Sequence, residues 1–351
     1  MNTDHCTAPS YAELRPLKPT RTDTFPVYPD LVETLLTAHR YPDHDVAYVM
    51  AVLSAYAYSD PQTVAMVMAR MGLEDNHCLM VAEHVDVLFL TSTSYLLQSK
   101  DGRVVILCYR GTPPTSVITW LTDLEIDPVR LAMPVPPDGS REYSVHAGFY
   151  RNVRSTRYVL ETALTDAIEG RSVQPDGGSM PNGMEALYIT GHSLGAASAA
   201  MLAVMLKTEP EFEPIAQRLR AVYTFGGPMI GSPEFAKACN EDEFLRKKVI
   251  RYVYANDIVP QVPPHASGHF AHFGTEYQYK PAGDHGRWHH NKQSRKQMTN
   301  LVELVTTPLS FLAKQIRITR DIPFHASIND HLPQYYIDAL KPRGVRSEFG
   351  D

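Results

Sequence analysis

The pentapeptide Gly191-His192-Ser193-Leu194-Gly195 constrains this chain more than any other feature, because of what flanks it. The apolar run ALYIT precedes it and the small-residue run AASAAML follows, so a buried strand turns directly into a helix at a serine. So sharp a turn imposes strained backbone angles on the serine, and a glycine two positions to either side lets the chain double back. The hydroxyl then projects from a strand end, beside a helix N-terminus whose dipole favours developing negative charge. A Gly-x-Ser-x-Gly match in an ordinary Gly/Ser-rich loop lacks both flanks. The context makes Ser193 the expected nucleophile and the backbone N–H of Leu194 an expected donor to an oxyanion.

A strand ending in such a turn needs a sheet around it, and the rest of the sequence supplies one. Helical recurrence of apolar residues predicts helices at 45–58 and 64–71. Three β-rich runs follow at 85–90, 94–98 and 103–109, the last two joined by Asp101-Gly102, a favoured hairpin turn. The pattern then alternates: helix near 153–168, strand 186–190, helix 194–206, strand 220–225, helix near 233–239, strand 248–254. Such alternation argues for parallel strands with helices crossing over both faces, after an antiparallel start. Stretches 128–140, 174–183 and 264–291 are expected to be excursions from this core. Residues 1–40 are expected to form a Pro-rich leader, and 41–345 a single domain with insertions.

Charge and cysteine content narrow the function classes. With 33 Lys and Arg against 39 Asp and Glu, the net charge of −6 gives no electrostatic reason to bind nucleic acid. The run 194–206 is too short to span a bilayer, so no transmembrane helix is predicted. The first thirty residues lack the apolar core of a signal peptide, which points to a cytoplasmic location or export by a signal-independent route. Four cysteines, Cys6, Cys78, Cys108 and Cys239, are far apart and form no CxxC pair, so neither a zinc ribbon nor a disulfide framework is signalled. The His-rich span 265–290 has no HExxH or comparable spacing, which favours a loop of exposed or locally bonded histidines over a metal site. Nothing in the sequence sets an oligomeric state.

A serine hydroxyl needs a histidine to accept its proton and an acid to hold that histidine. In a sheet of this kind the order along the chain is serine, acid, histidine. Asp257, directly after the strand at 248–254, is the expected acid, ahead of Asp284 and Asp321. The base must follow it near the domain's end, which leaves His325 and His331.

Several short motifs stand in one order: YRGT from Tyr109, WLTDL from Trp120, VHAGF from Val145, GHSLGAA from Gly191, TFGGPMIGSPEFA from Thr224, NDIVPQVPP from Asn256 and NDHL from Asn329. In this the chain resembles the class 3 lipases, the group that contains the filamentous-fungal triacylglycerol lipases, over about 45–336. The resemblance implies an α/β-hydrolase fold with a mostly parallel central sheet flanked by helices. It carries the nucleophile onto Ser193, the acid onto Asp257 and the base onto His331 rather than His325. It also implies that Thr112 donates to the oxyanion, and that the following segment is a lid with Val117, Ile118, Trp120, Leu121 and Leu124 facing lipid. The Pro113-Pro114 pair departs from the fungal pattern. The interval from Asp257 to His331 is long for that family, implying an insertion within 283–324.

The activity so implied is hydrolysis of a lipid ester through an acyl-enzyme, without cofactor or metal, at a lipid–water interface. Phospholipase A1-type or feruloyl-type esterase activity is the alternative within the same framework. A lipase-like binding protein without catalysis is the alternative outside it.

Overall fold

The computed structural model describes residues 2–8, 10, 26–85, 90–112, 128–132, 142–263, 268–282, 286–291 and 329–343. Its centre is a nine-stranded sheet. In chain order the strands are β1 (Asn2–Thr7), β2 (His77–Val85), β3 (Leu90–Gln98), β4 (Val104–Tyr109), β7 (Ala186–His192), β8 (Leu219–Phe225), β9 (Val249–Tyr254), β10 (Thr275–Lys280) and β11 (Arg287–Asn291), and they lie side by side in that order. The first three pairings are antiparallel, the four from β4 to β10 are parallel, and β11 returns antiparallel. A separate hairpin pairs β5 (Pro128–Ala132) with β6 (Glu142–His146).

Continuous apolar runs explain the central strands. In β4, VVILCY is buried throughout: Val105, Leu107 and Tyr109 enter the core on one face, Val104, Ile106 and Cys108 the core on the other. A strand covered on both faces must be apolar at every position rather than at alternate ones. One face is covered by α4 (Ala147–Ile168) and α5 (Leu194–Thr208), with α6 (Pro233–Glu241) and α7 (Glu243–Lys248) beside them. The other face is covered by α1 (Leu31–Thr37), α2 (His44–Tyr56), α3 (Pro61–Met71) and α8 (Pro333–Leu340).

Helix starts follow short polar side chains. Asp43, Asp60 and Ser232 each accept from the backbone N–H three residues on, and proline occupies the first turn after the latter two, where no intrahelical N–H is needed. Helix α4 begins at Ala147, earlier than the residue 153 expected from periodicity, because the ring of His146 accepts from Gly148 N at 3.1 Å and caps it.

Two expectations need correction. The segment taken as a leader supplies edge strand β1 and helix α1. Of the run expected as a strand at 85–90, Val85 ends β2 and its partner Leu90 begins β3, and residues 86–89 lie outside the described residues. The expected excursion 264–291 contributes β10 and β11 to the central sheet, whereas β5, within the expected excursion 128–140, lies outside that sheet. Among the described residues no helix is long and apolar enough to cross a membrane, and no group of His, Cys, Asp or Glu could hold a metal ion.

Candidate active site

Ser193 stands at the C-terminal end of β7 with φ +60° and ψ −128°, between the strand and α5. A non-glycine residue so placed costs about 1–3 kcal/mol and persists only where packing enforces it. The enforcement is steric. A Cβ built on Gly191 would lie 2.4 Å from the carbonyl carbon of Gly195, and one on Gly195 would lie 2.1 Å from the carbonyl oxygen of Tyr109. The two glycines therefore permit a turn pressed against itself and against the end of β4. Ser193 N also donates to Phe225 O at 2.9 Å, tying the turn to the end of β8.

The next residue, Gly226, with φ +59°, lies against the other half of the site: a Cβ there would fall 2.6 Å from Asp257 Oδ2 and 3.0 Å from His331 Nδ1. His331 Nδ1 contacts both carboxylate oxygens of Asp257, at 2.9 and 3.1 Å. An ionised carboxylate only accepts, so Nδ1 carries the proton and Nε2 is left as the basic nitrogen. Asp257 is held in turn by Val259 N at 2.9 Å and by the Tyr336 hydroxyl, which donates to Oδ2 at 2.6 Å. The loops are joined one residue upstream, where Asn256 N donates to Asp330 Oδ2 at 3.0 Å.

His192 supports the same arrangement from beneath. Its Nε2–H donates to the backbone carbonyl of His331 at 2.7 Å, so Nδ1 is an acceptor and takes the Tyr58 hydroxyl at 3.0 Å. The two imidazoles lie 4.5 Å apart between ring centroids. Burial, and then the proximity of His331, holds His192 well below the ordinary histidine value, so it stays neutral and keeps that tautomer.

On the remaining side, Gly111 brings the chain after β4 onto the serine: a Cβ on it would lie 3.1 Å from Ser193 Cβ and 2.4 Å from the Tyr58 hydroxyl. Thr112 follows and is buried. Leu194 heads α5, where a first-turn N–H has no acceptor within the helix. Among the described residues Ser193 Oγ, His331 Nε2 and Thr112 Oγ1 are buried side-chain atoms without a hydrogen-bond partner. Native structures satisfy most buried polar atoms, and exceptions call for a functional or structural account.

The structure thus brings together Ser193, Asp257, His331, Thr112 and Leu194. Val117, Ile118, Trp120, Leu121 and Leu124 lie outside the described residues, as do His325, Asp284 and Asp321. Sequence reasoning missed Tyr336, His192, Tyr58 and Gly226. His192 was visible inside the pentapeptide, whereas Tyr336 and Tyr58 carry no local signal and gain their positions only when α8 and α2 pack against each other.

Residues 106–267 match the family described as Lipase (class 3). A triacylglycerol lipase of Ricinus communis is 31% identical over 212 residues, covering 51% of this chain and 39% of that protein. A lipase of Rhizopus niveus is 30% identical over 190 residues, covering 54% of this chain and 42% of that protein. The chain therefore spans less than half the length of these curated relatives. In three dimensions it is similar in fold to the native Rhizomucor miehei lipase propeptide complex, with TM-score 0.55 and 20% identity over 90% of this chain and 84% of that one. The matched segment contains Thr112, the turn at Ser193 and the loop of Asp257, and over residues 106–267 the chain is similar to the class 3 lipases.

Proposed function

We propose that this chain is a serine carboxylic ester hydrolase acting on lipid esters, triacylglycerol lipase-like in its chemistry. The observation that carries the reading is the set of three buried polar atoms left without partners, Ser193 Oγ, His331 Nε2 and Thr112 Oγ1, next to a His331–Asp257 pair with its other positions occupied. These are a nucleophile, a base and an oxyanion donor.

Ser193 Oγ attacks the ester carbonyl while His331 Nε2 takes its proton. Asp257 stabilises the imidazolium that forms without accepting a proton itself. The N–H of Leu194 and the amide and hydroxyl of Thr112 receive the negative charge of the tetrahedral intermediate. His331 then protonates the leaving alcohol, and a water activated by the same nitrogen releases the acid and regenerates the serine. The chemistry requires no cofactor.

Ser193 is fully buried, so an ester reaches it only when whatever covers it moves. The segment after Thr112, with Val117, Ile118, Trp120 and Leu121, is our choice for that cover, with its apolar side chains meeting the lipid surface. The test is hydrolysis of soluble short-chain esters, emulsified triacylglycerols, phospholipids and feruloyl esters, with Ser193→Ala as blank. The reading expects the largest turnover on acylglycerols and a Trp120→Ser loss greater on emulsion than on soluble ester. Turnover that survives Ser193→Ala would overturn it, and preference for phospholipid or feruloyl ester would reassign the substrate.

A further inference from the structure

Two of the four cysteines, remote in sequence, meet at the edge of the sheet. The β1–β2 register places Cys6 directly opposite Cys78. Directly opposed residues of an antiparallel pair have Cα atoms about 4.5–5.5 Å apart, within the window of about 4.4–6.8 Å that a disulfide spans. Both side chains lie on the sheet face covered by α1, α2 and α3, and both are free thiols. The backbones are clamped at this point, because Gln174 Nε2 donates to Cys6 O at 2.6 Å and to Cys78 O at 3.1 Å.

The two sulfurs are unequal in a useful way. Cys6 is half-buried and Cys78 buried, so a small oxidant meets Cys6 first. The neighbouring Cys78 thiol favours the Cys6 thiolate and holds that group below its ordinary value, while the Cys6 sulfur and burial hold Cys78 protonated. Cys108 and Cys239 are buried among apolar neighbours, and burial raises both thiols, which keeps them inert.

We propose that Cys6 and Cys78 form a redox site in which a hydroperoxide oxidises Cys6 and Cys78 resolves it, giving a cystine that latches strand β1 to β2. In the first step the Cys6 thiolate attacks the terminal peroxide oxygen. The O–O bond breaks, Cys6 becomes a sulfenic acid, and the departing oxygen takes a proton and leaves as water or alcohol. In the second the Cys78 sulfur attacks the sulfenic sulfur, the S–S bond forms, and hydroxide departs with the Cys78 proton as water. Two thiols are oxidised and one peroxide is reduced. The cystine closes a loop that contains α1, α2 and α3, so it removes freedom from the unfolded chain and raises the melting temperature on the order of 5 °C. A thiol reductant reverses it.

The experiment treats the full chain with hydrogen peroxide and maps its peptides without reduction, alongside melting curves before and after dithiothreitol. The expected results are a Cys6–Cys78 linked peptide, unmodified Cys108 and Cys239, and a rise in melting temperature that dithiothreitol abolishes. Cys78→Ser should accumulate a sulfenic acid on Cys6 that a dimedone-type reagent traps. Cys6→Ser should leave Cys78 reduced, which keeps the test open if Cys78→Ser does not fold. Sulfinic acid on Cys6 without cystine in the unsubstituted chain, a bridge to Cys108 or Cys239, or a linked peptide with no change in melting would each overturn the proposal. Hydrolytic activity plays no part in the readout, so the outcome is independent of the proposed function.

Discussion

The carboxylate of Asp257 is the residue on which the site's geometry converges. It accepts from His331, from Val259 N and from the Tyr336 hydroxyl, and each donor fixes one aspect of its orientation. A hydrogen bond to a charged group contributes about 1.5–3 kcal/mol, so losing one of the three should loosen the pair without dismantling it. Tyr336→Phe is therefore expected to lower kcat about tenfold on a soluble ester while KM changes little, because the loss is felt when His331 becomes charged in the transition state. Steady-state kinetics on the two proteins check this. Unchanged kcat would mean that the carboxylate keeps its orientation without Tyr336. Tyr336 could not have been named from sequence, since its hydroxyl reaches Asp257 across 79 positions of chain.

At the scale of elements, what was legible was what packing writes into a single strand or helix. Strand β7 and helix α5 are buried on all sides, and their apolar runs declare them. Strand β10 does not declare itself, because its fully buried position is Glu276, whose carboxylate takes Arg251 Nη2 of β9 at 2.7 Å. Its other face carries Tyr277 and Tyr279, stacked on Tyr252 and Tyr254, so TEYQYK reads as polar until its neighbours are known. Edge strands β1 and β11 are polar for a different reason, since an exposed apolar edge invites pairing with another chain. The candidate site divides along the same line: the turn at Ser193 is contiguous and legible, the acid follows from position after a strand, and the base needed the family pattern. The Arg251–Glu276 pair also carries a prediction. Truncating one partner leaves a buried charge with its main counter-ion gone, so Glu276→Ala should destabilise the fold by about 3–5 kcal/mol. Denaturant midpoints measure it, and a loss below about 1 kcal/mol would show that the pair is dispensable.

Across the whole molecule, two buried neutral histidines set a dependence of stability on acid. Burial pushes His146 down to about 4, and His192 is depressed in the same direction. Between about 4 and the ordinary histidine value of about 6.5 the unfolded chain binds protons that the native chain refuses. Stability from these groups is thus complete above about 6.5 and declines as pH falls toward about 4, by about 3 kcal/mol for His146 alone. His146→Asn keeps an acceptor for the Gly148 N–H but does not titrate, so it should reduce the difference in unfolding free energy between about pH 7 and about pH 5. An unchanged difference would place the acid sensitivity elsewhere.

Ser193 as a nucleophile driven by His331 is tested most directly by a fluorophosphonate, since it esterifies only an activated serine. Peptide mass spectrometry of the treated chain should find a single phosphonate adduct, on Ser193, and the rate of its formation should fall at least a hundredfold, roughly, in His331→Ala. An adduct on a different serine, or labelling of Ser193 at the same rate without His331, would contradict it.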